Sequence, residues 1–349
     1  MDLIRILFVS DTHLGFDLPR RPRVKRRRRG QDFFENFQRA LEPARRGDVD
    51  LVVHGGDILY RSRVPAELVA RAFQPLKEVA ATGVPVYVVP GNHERSRIPY
   101  ALLAQHENLF LFDRPKTYVW RHQGFTLALA GFPYERRIRE RFPAVVEETG
   151  WRNVEADARL LVLHHAIEGA RVGPGDYTFT NASDVVRTAD IPKGLTAVLS
   201  GHIHRAQVLT RDLNGRPLPA PVLYPGSVDR TSFAEKDERK GYLTLALERS
   251  GRLLGWRFHE LPARPMVRME LGPRELERDN LEVRLRRSLD TLPADAIVQL
   301  KVQLRADGAI PQILGAASLR ALAPSSMNVN VSVTPADRRR RPSSRTERS

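Results

Sequence analysis

The chain has 349 residues, 42% of them hydrophobic, which is enough for one large or two ordinary domains with packed cores. No apolar run approaches the roughly 20 residues of a membrane helix. It has no cysteine, which excludes disulfides, thiolate nucleophiles and sulfur-ligated zinc sites. The formal net charge of +15 is concentrated in residues 19–30 and 336–349, so the rest of the chain is nearly balanced.

The first two thirds of the chain alternate strand-like and helix-like segments. Residues 32–46 and 65–83 carry apolar side chains at helical spacing, with Pro65 placed to open the second helix and Gly83 to close it. Buried strands are predicted for five apolar runs: Ile4–Val9, Leu51–Val53, Val84–Val89, Leu160–Leu163 and Ala197–Leu199. Three segments predict hairpins: residues 118–132, 207–227 and 241–261. This order indicates a layered α/β architecture with a second sheet.

The pattern changes after residue 264. The predicted elements there are an amphipathic stretch over Pro273–Leu292, a strand over Ala296–Leu304, a short helix over Pro311–Leu322 and a strand over Met327–Val333. We therefore predict a large domain over residues 1–264, a small α/β domain over 265–335 and a basic, disordered tail over 336–349. The N-terminal sequence MDLIRILFVSD reaches an acidic residue too soon for a signal peptide, so we expect a cytoplasmic protein.

Side chains of the kinds that bind metal ions follow all five predicted strands. Asp11 and His13 point to the same side of an extended chain and can share a cation, although Ser, Asp and Thr after a strand also form turns and helix caps. Strand carboxyl ends meet at one crevice of an open α/β sheet, so the following residues are expected to converge there: Asp11, His13, Asp57, Asn92, His93, His164, His165, His202 and His204. Burying so many polar groups is costly unless a cation compensates, and this donor set suits manganese, iron or zinc.

The motifs DTHLG, GGD, GNHE, LHH and GHIH, in this order, resemble those of the calcineurin-like metallophosphoesterases over about the first 260 residues. YPGSVDRTSF followed by EKDERKGYLTL further resembles the SbcD-type DNA repair exonucleases. The resemblance implies a four-layer αββα sandwich, a small C-terminal α/β capping domain and two divalent metal ions, usually Mn²⁺. Glu94 stands where that family usually has Asp.

The resemblance also implies roles for individual residues. The residues that would hold the first ion are Asp11, His13, Asp57 and His204. Those that would hold the second are Asp57, Asn92, His164 and His202. Asp57 suits the bridging position because a carboxylate has two oxygens. His93 matches the family's histidine that is not a ligand and that donates to a phosphoryl or leaving oxygen.

Other candidate residues have two readings. Arg95 and Arg230 can contact substrate phosphates, and Tyr60 can stack on a base. Arg95 is equally explained as part of a solvated loop, and Tyr60 as a packed aromatic residue. His165 either orients a ligand or is simply packed. Ordinary structural roles are assigned to the remaining histidines: His54, His106, His122 and His259.

We expect a metal-dependent DNA phosphodiesterase, an exonuclease or endonuclease. The same centre acting on a cyclic nucleotide or phosphoprotein, and a non-catalytic DNA-bridging scaffold, remain alternatives. Residues 19–30 and 336–349 are predicted to be flexible arms that neutralise phosphates, or solvated charge that aids solubility. The expected partners are DNA, an SbcC-type ATPase and a second copy of the chain. Little sequence remains after residue 335 for the segment that would bind the ATPase. The expected location is the nucleoid, with no membrane.

Overall fold

The computed structural model describes residues 3–19, 21, 24–94, 106–305 and 308–335. They divide into a large unit, Met1–Arg21 with Arg28–Ala263, and a small unit, Pro22–Arg27 with Arg264–Ser349. Arg95 and the tail over 336–349 lie outside the described residues. In the ranges that are described, every helix is too short or too polar to cross a bilayer.

The strands of the large unit come first in chain order. They are β1 (Ile4–Val9), β2 (Leu51–His54), β3 (Val86–Val88), β4 (Leu109–Leu111), β5 (Lys116–His122), β6 (Phe125–Gly131), β7 (Ala158–Leu163), β8 (Ala166–Ile167), β9 (Arg171–Val172), β10 (Tyr177–Thr178), β11 (Val185–Val186), β12 (Ala197–Ser200), β13 (Gln207–Arg211), β14 (Pro217–Tyr224), β15 (Gly241–Leu247) and β16 (Leu253–Glu260). The helices are α1 (Arg29–Arg45), α2 (Ala66–Ala81) and α3 (Ile138–Glu148), with 3₁₀ turns at Trp151–Asn153, Thr188–Asp190 and Phe233–Glu235.

Two six-stranded sheets organise this unit. The first has the order β16-β15-β1-β2-β3-β4, in which β1 to β4 are parallel and the β15–β16 hairpin is antiparallel. The second has the order β13-β14-β12-β7-β6-β5, with four parallel central strands and an antiparallel strand at each edge. All three predicted hairpins are present.

Alternation along β1 shows how the layers form. Ile6 and Phe8 face a core shared between the two sheets, whereas Leu7 and Val9 pack in the cluster that includes α1 and α2. Phe142 of α3 belongs to a third cluster, on the outer face of the second sheet. The layers are therefore helix, sheet, sheet and helix, which confirms the predicted αββα fold.

Two hairpin glycines allow a matched stability test. Gly251 (φ 82°) and Gly215 (φ 78°) both adopt the left-handed conformation that L side chains rarely adopt. A Cβ on Gly251 would collide with the backbone carbonyl of Asp157, whereas a Cβ on Gly215 would meet nothing within 4 Å. We expect Gly251→Ala to lower the free energy of unfolding by about 3 kcal/mol and Gly215→Ala by about 1 kcal/mol. Denaturant unfolding checks this, and equal losses would show that the contact with Asp157 is unimportant.

The small unit is built on a three-stranded parallel sheet. Its elements are β17 (Met266–Leu271), α4 (Pro273–Glu277), α5 (Leu281–Asp290), β18 (Ile297–Leu304), the 3₁₀ turn Gln312–Leu314, α6 (Ala316–Leu322) and β19 (Asn328–Pro335). Sequence analysis missed β17, in which only Val267, Met269 and Leu271 alternate with polar residues. The amphipathic stretch predicted over Pro273–Leu292 forms two helices, because Asn280 adopts a left-handed conformation (φ 59°) between them.

The prediction of a flexible arm over residues 19–30 is wrong for three arginines. Arg26 donates to the backbone carbonyl of Met327 (2.8 Å) within the small unit. Arg28 forms an ion pair with Asp17, and Arg29 is a buried residue at the start of α1. These guanidinium groups are engaged by protein acceptors, so this segment is more ordered than its density of charge indicated.

Candidate metal centre

The loops after β1 and β2 continue to pair beyond the ends of the strands. The backbone N–H of Asp11 donates to the carbonyl of Gly56 (2.9 Å), and that of His13 donates to the carbonyl of Asp57 (3.0 Å). Asp11, His13 and Asp57 have φ values of 51°, 43° and 51°, and His202 has 82°. Such conformations cost about 1–3 kcal/mol each in non-glycine residues and cluster at functional sites.

The two carboxylate oxygens of Asp11 have different closest neighbours. Its Oδ2 accepts hydrogen bonds from the Ser10 hydroxyl (2.6 Å) and the His202 N–H (3.0 Å). Its Oδ1 lies 3.8 Å from Nε2 of His13 and 3.7 Å from Nε2 of His204. These two ring nitrogens are 2.8 Å apart, so an oxygen and two nitrogens converge at one point.

Asp57 is arranged in the same way. Its Oδ1 accepts the N–H of His93 (2.9 Å), and its Oδ2 faces Nε2 of His164 at 3.5 Å. Oδ1 of Asn92 completes this group, 3.2 Å from Nε2 of His164 and 3.0 Å from Nδ1 of His202. The structure thus brings the predicted ligands into two adjoining groups.

Asp57 is within reach of both groups. Its carboxylate, a ring nitrogen of His13 and one of His93 all lie within 4.8 Å of one another, as do donor atoms of Asp11, Asp57 and His164. Glycines make this close approach possible: a Cβ on Gly91 would collide with Oδ1 of Asp57. The geometry therefore suits a carboxylate shared between two cations.

The pKa shifts of the clustered histidines differ from one residue to another. Burial, reinforced by His204, holds the pKa of His13 well below its usual range, and burial lowers the pKa of His202 to about 3, so both rings are neutral near pH 7. Burial also disfavours charge on His164, but attraction to Asp57 outweighs it and raises the pKa to about 9. Nδ1 of His164 donates to the carbonyl of Gly55 (2.7 Å), which directs Nε2 at the cluster. Divalent cations require unprotonated nitrogens. His13 and His202 offer them near pH 7, whereas His164, with its raised pKa, would lose a proton when a cation binds.

His93 lies beside the ligand groups at the edge of the cleft. Its Nε2 is 3.7 Å from Oδ2 of Asp57, and its side chain is 31% exposed. Its ring meets that of His13 edge to face, with centroids 5.2 Å apart. In the described part of the chain Nδ1 of His93 has no hydrogen-bond partner. His93 is thus a partly exposed predicted site residue that lines the cleft.

The cleft has a volume of about 400 Å³. It is lined by His13, Phe16, Asp57, Tyr60, Asn92, His93, His202, His204 and Thr231. Phe16 and Tyr60 form an aromatic wall with ring centroids 6.4 Å apart. Arg230 precedes Thr231 in the chain, but its Nε donates to the carbonyl of Glu238 (3.0 Å).

Two histidines outside the cluster have structural contacts. The ring of His165 stacks on Tyr134 at 4.9 Å and its Nε2 contacts the backbone of Glu135, which fits the packed alternative. His54 accepts the N–H of Gly56 (3.2 Å) through Nδ1 and contacts Thr12 through Nε2, so it supports the loop after β2.

Glu94 connects two loops of the site. It is buried, and its two oxygens accept the backbone N–H groups of Leu59 (2.7 Å) and Gly91 (2.9 Å). The longer side chain, where the family usually has Asp, therefore spans from one loop to the other.

We expect Glu94→Ala to reduce the free energy of unfolding by about 3 kcal/mol, because two buried N–H groups lose their acceptor. Glu42→Ala, which removes an exposed partner of Arg45, is the control and should change it by less than about 1 kcal/mol. Denaturant unfolding measures both variants. Equal stability of Glu94→Ala and the parent chain would contradict the bridging role.

Sequence analysis missed several residues around His204. Glu235 and Lys240 lie in the EKDERKG segment, which contributed only a family resemblance, and Thr231 lies in the segment before it. Glu235 and Lys240 are buried, and all three contact His204 or one another. A charged run of this kind is usually solvated, so burial of these residues could not be predicted from the sequence.

Fold and site together define a class of protein, an αββα sandwich that gathers metal-binding side chains at the carboxyl ends of parallel strands. A family model described as calcineurin-like phosphoesterase matches residues 4–206, more than half of the chain. The chain therefore belongs to the calcineurin-like phosphoesterase family, and it is a hydrolase of the metallophosphoesterase type.

Several curated relatives are named DNA double-strand break repair protein Mre11. The one from Methanopyrus kandleri is 29% identical over 276 residues, covering 74% of this chain and 57% of the relative. The one from Haloferax volcanii is 29% identical over 307 residues, covering 86% and 62%. The chain thus spans less than two thirds of the length of either relative. Among solved structures, TT1561 of Thermus thermophilus is 13% identical, with a TM-score of 0.47 and coverage of 74% of this chain and 99% of that one.

Proposed function

We propose that this chain is a two-metal phosphodiesterase that hydrolyses DNA, as an exonuclease or endonuclease resembling the SbcD type. One observation carries the proposal: the predicted ligands and His93 converge on a single cleft in a chain that is similar to relatives named as DNA repair proteins. The cleft has a volume of about 400 Å³, and the aromatic rings of Phe16 and Tyr60 are part of its lining.

The proposed ligands fall into the two groups of the cleft. The first ion is held by Asp11, His13, Asp57 and His204. The second is held by Asp57, Asn92, His164 and His202. Two divalent ions bound there, which we propose to be Mn²⁺, would supply a more acidic water and positive charge to offset that of the phosphodiester.

The residues of the chain supply positioning and proton transfer. Asp57 holds its Oδ2 toward the reacting centre because its Oδ1 is occupied by the N–H of His93 (2.9 Å). His93 donates a hydrogen bond to a phosphoryl or leaving oxygen, a role that suits its position next to the ligands and its partial exposure.

Substrate contacts are proposed for three residues. Tyr60, on the aromatic wall with Phe16, stacks on a base. Arg230, whose Nε also donates to the carbonyl of Glu238, contacts a backbone phosphate. Arg95, which lies outside the described residues, is proposed to contact phosphate as well.

The wider assignments follow from the same proposal. Residues 1–264 act as the nuclease domain, 265–335 as a capping domain and 336–349 as a basic tail. The partners are DNA, an SbcC-type ATPase and a second copy of the chain. The proposed place of action is the cytoplasm, at the nucleoid.

Cleavage assays test the proposal. The Mn²⁺-loaded protein is incubated with labelled duplex DNA, with single-stranded DNA and with bis(p-nitrophenyl) phosphate, and the metal-free protein is the control. We expect DNA cleavage that requires Mn²⁺. Cleavage of the small diester alone would contradict the DNA substrate, and DNA binding without cleavage under any divalent ion would establish a scaffold instead.

A further inference from the structure

Lys240 is fully buried, which is unusual for a lysine. Its Nζ donates to the carbonyl of His204 (2.9 Å), to Oε2 of Glu235 (2.7 Å) and to Oε2 of Glu238 (3.0 Å). An ammonium group has three N–H donors, so all of them have an acceptor here. A buried ammonium is tolerated only with such complete pairing. The arrangement fixes the position of the Glu235 carboxylate and of the His204 backbone together.

Glu235 presents its other oxygen to the metal cleft. Its Oε1 accepts the hydroxyl of Thr231 (2.6 Å) and lies 3.3 Å from Nδ1 of His204. An ionised carboxylate only accepts hydrogen bonds, so Nδ1 of His204 carries the proton. In the neutral form of the ring, which metal binding requires, the lone pair is then on Nε2, which faces Oδ1 of Asp11 (3.7 Å) and Nε2 of His13 (2.8 Å).

His164 and His204 are two proposed ligands that donate a hydrogen bond through Nδ1. His204 depends more on its acceptor than His164 does. The side chain of His164 is fully buried, and the carbonyl of Gly55 fixes its ring. The side chain of His204 is 26% exposed, so solvent can compete for its ring nitrogens more than it can at His164. A carboxylate held by a buried cation is a stronger acceptor than a neutral carbonyl, and it is fixed against rotation.

We propose that Glu235, held in place by Lys240, is a positioning residue that sets the tautomer and orientation of His204 for metal binding. Carboxylates that accept from the second nitrogen of a metal-binding histidine act in this way in many metal sites. This inference rests on the proposed function, because it takes His204 as a ligand of one of two ions.

Calorimetric titration with Mn²⁺ tests the inference. Four proteins are compared: the parent chain, Glu235→Ala, Glu235→Gln and Glu168→Ala. Glu168 is the matched control because it forms a mostly buried ion pair with Arg139 (2.7 Å; side chains 15% and 16% exposed) in the same unit but contacts no proposed ligand among the described residues. Circular dichroism and denaturant unfolding establish that each variant is folded.

We expect Glu235→Ala to weaken the binding of one Mn²⁺ by about 10–100-fold, with little effect on the second ion. Glu235→Gln keeps an oxygen that can accept from His204, so it should recover part of that loss. Glu168→Ala should bind both ions as the parent chain does, even where its stability falls. If Glu235→Ala does not fold, the Mn²⁺ affinity of Glu235→Gln tests the inference in its place.

Two results would overturn the inference: unchanged Mn²⁺ affinities in the folded Glu235 variants, or an equal loss of affinity in Glu168→Ala. Failure of the proposed function gives a different result, because the parent chain itself would then bind no pair of Mn²⁺ ions. The two failures are therefore distinguishable in the same titration.

Discussion

Asp57→Asn is expected to lower phosphodiester hydrolysis by about 10³-fold or more and to abolish tight binding of the ion pair. Asparagine keeps the oxygen that accepts the His93 N–H but removes the charge that Asp57 places within reach of both ligand groups. Inductively coupled plasma mass spectrometry gives the number of Mn²⁺ ions per chain, and steady-state kinetics on a chromogenic diester give the rate.

Asp157→Asn is the control for that variant. Asp157 accepts the N–H of Thr126 (2.7 Å) just before β7, at the opposite end of that strand from His164. The Asp157→Asn variant should bind Mn²⁺ and hydrolyse the diester as the parent chain does. Retention of two tightly bound ions in Asp57→Asn would show that this carboxylate is not a shared ligand.

His93→Ala is expected to lower hydrolysis by about 10²–10⁴-fold while two Mn²⁺ ions remain bound, because a general acid or hydrogen-bond donor is lost but no ligand is. His93 is the partly exposed histidine beside Asp57, and its Nδ1 is not used by any described residue. The same two measurements, metal content and kcat on the diester, separate catalysis from binding.

His259→Ala is the control for the His93 variant. The ring of His259 stacks on Tyr242 at 4.8 Å and contacts the hydroxyl of Thr244 (2.8 Å), on the β15–β16 hairpin. Its removal should leave both kcat and metal content unchanged. If His93→Ala instead loses its metal ions, His93 is a ligand and the assigned role is wrong.

The convergence of the site residues could be predicted because these residues follow the carboxyl ends of parallel strands. Runs such as Leu160–Leu163 are apolar on both sides since helices or a second sheet cover both faces, and such runs are visible in a sequence. The residue after such a run then lies at the carboxyl edge of the sheet, as His164 does. This pattern predicts the layered α/β architecture and the convergence of the strand-end residues, whereas the four-layer αββα arrangement is predicted from the resemblance of the motifs to the metallophosphoesterases.

Contacts between distant charged residues could not be predicted. Lys240 and Glu235 are indistinguishable in sequence from a solvated charged run, and only the fold places them behind His204. In the same way Arg26 and Arg28 lie in a dense basic segment, yet protein acceptors hold their side chains. Side chains with long reach are fixed by tertiary partners, which local patterns do not specify.

The central claim is that Asp57 is shared between two ions in one cleft. Anomalous diffraction at the manganese edge, from crystals of the chain grown with Mn²⁺, tests it directly. The prediction is two anomalous peaks in the cleft, one beside Asp11 and His204, the other beside Asn92 and His164, with Asp57 contacting both. A single peak, or peaks elsewhere in the molecule, would contradict the account.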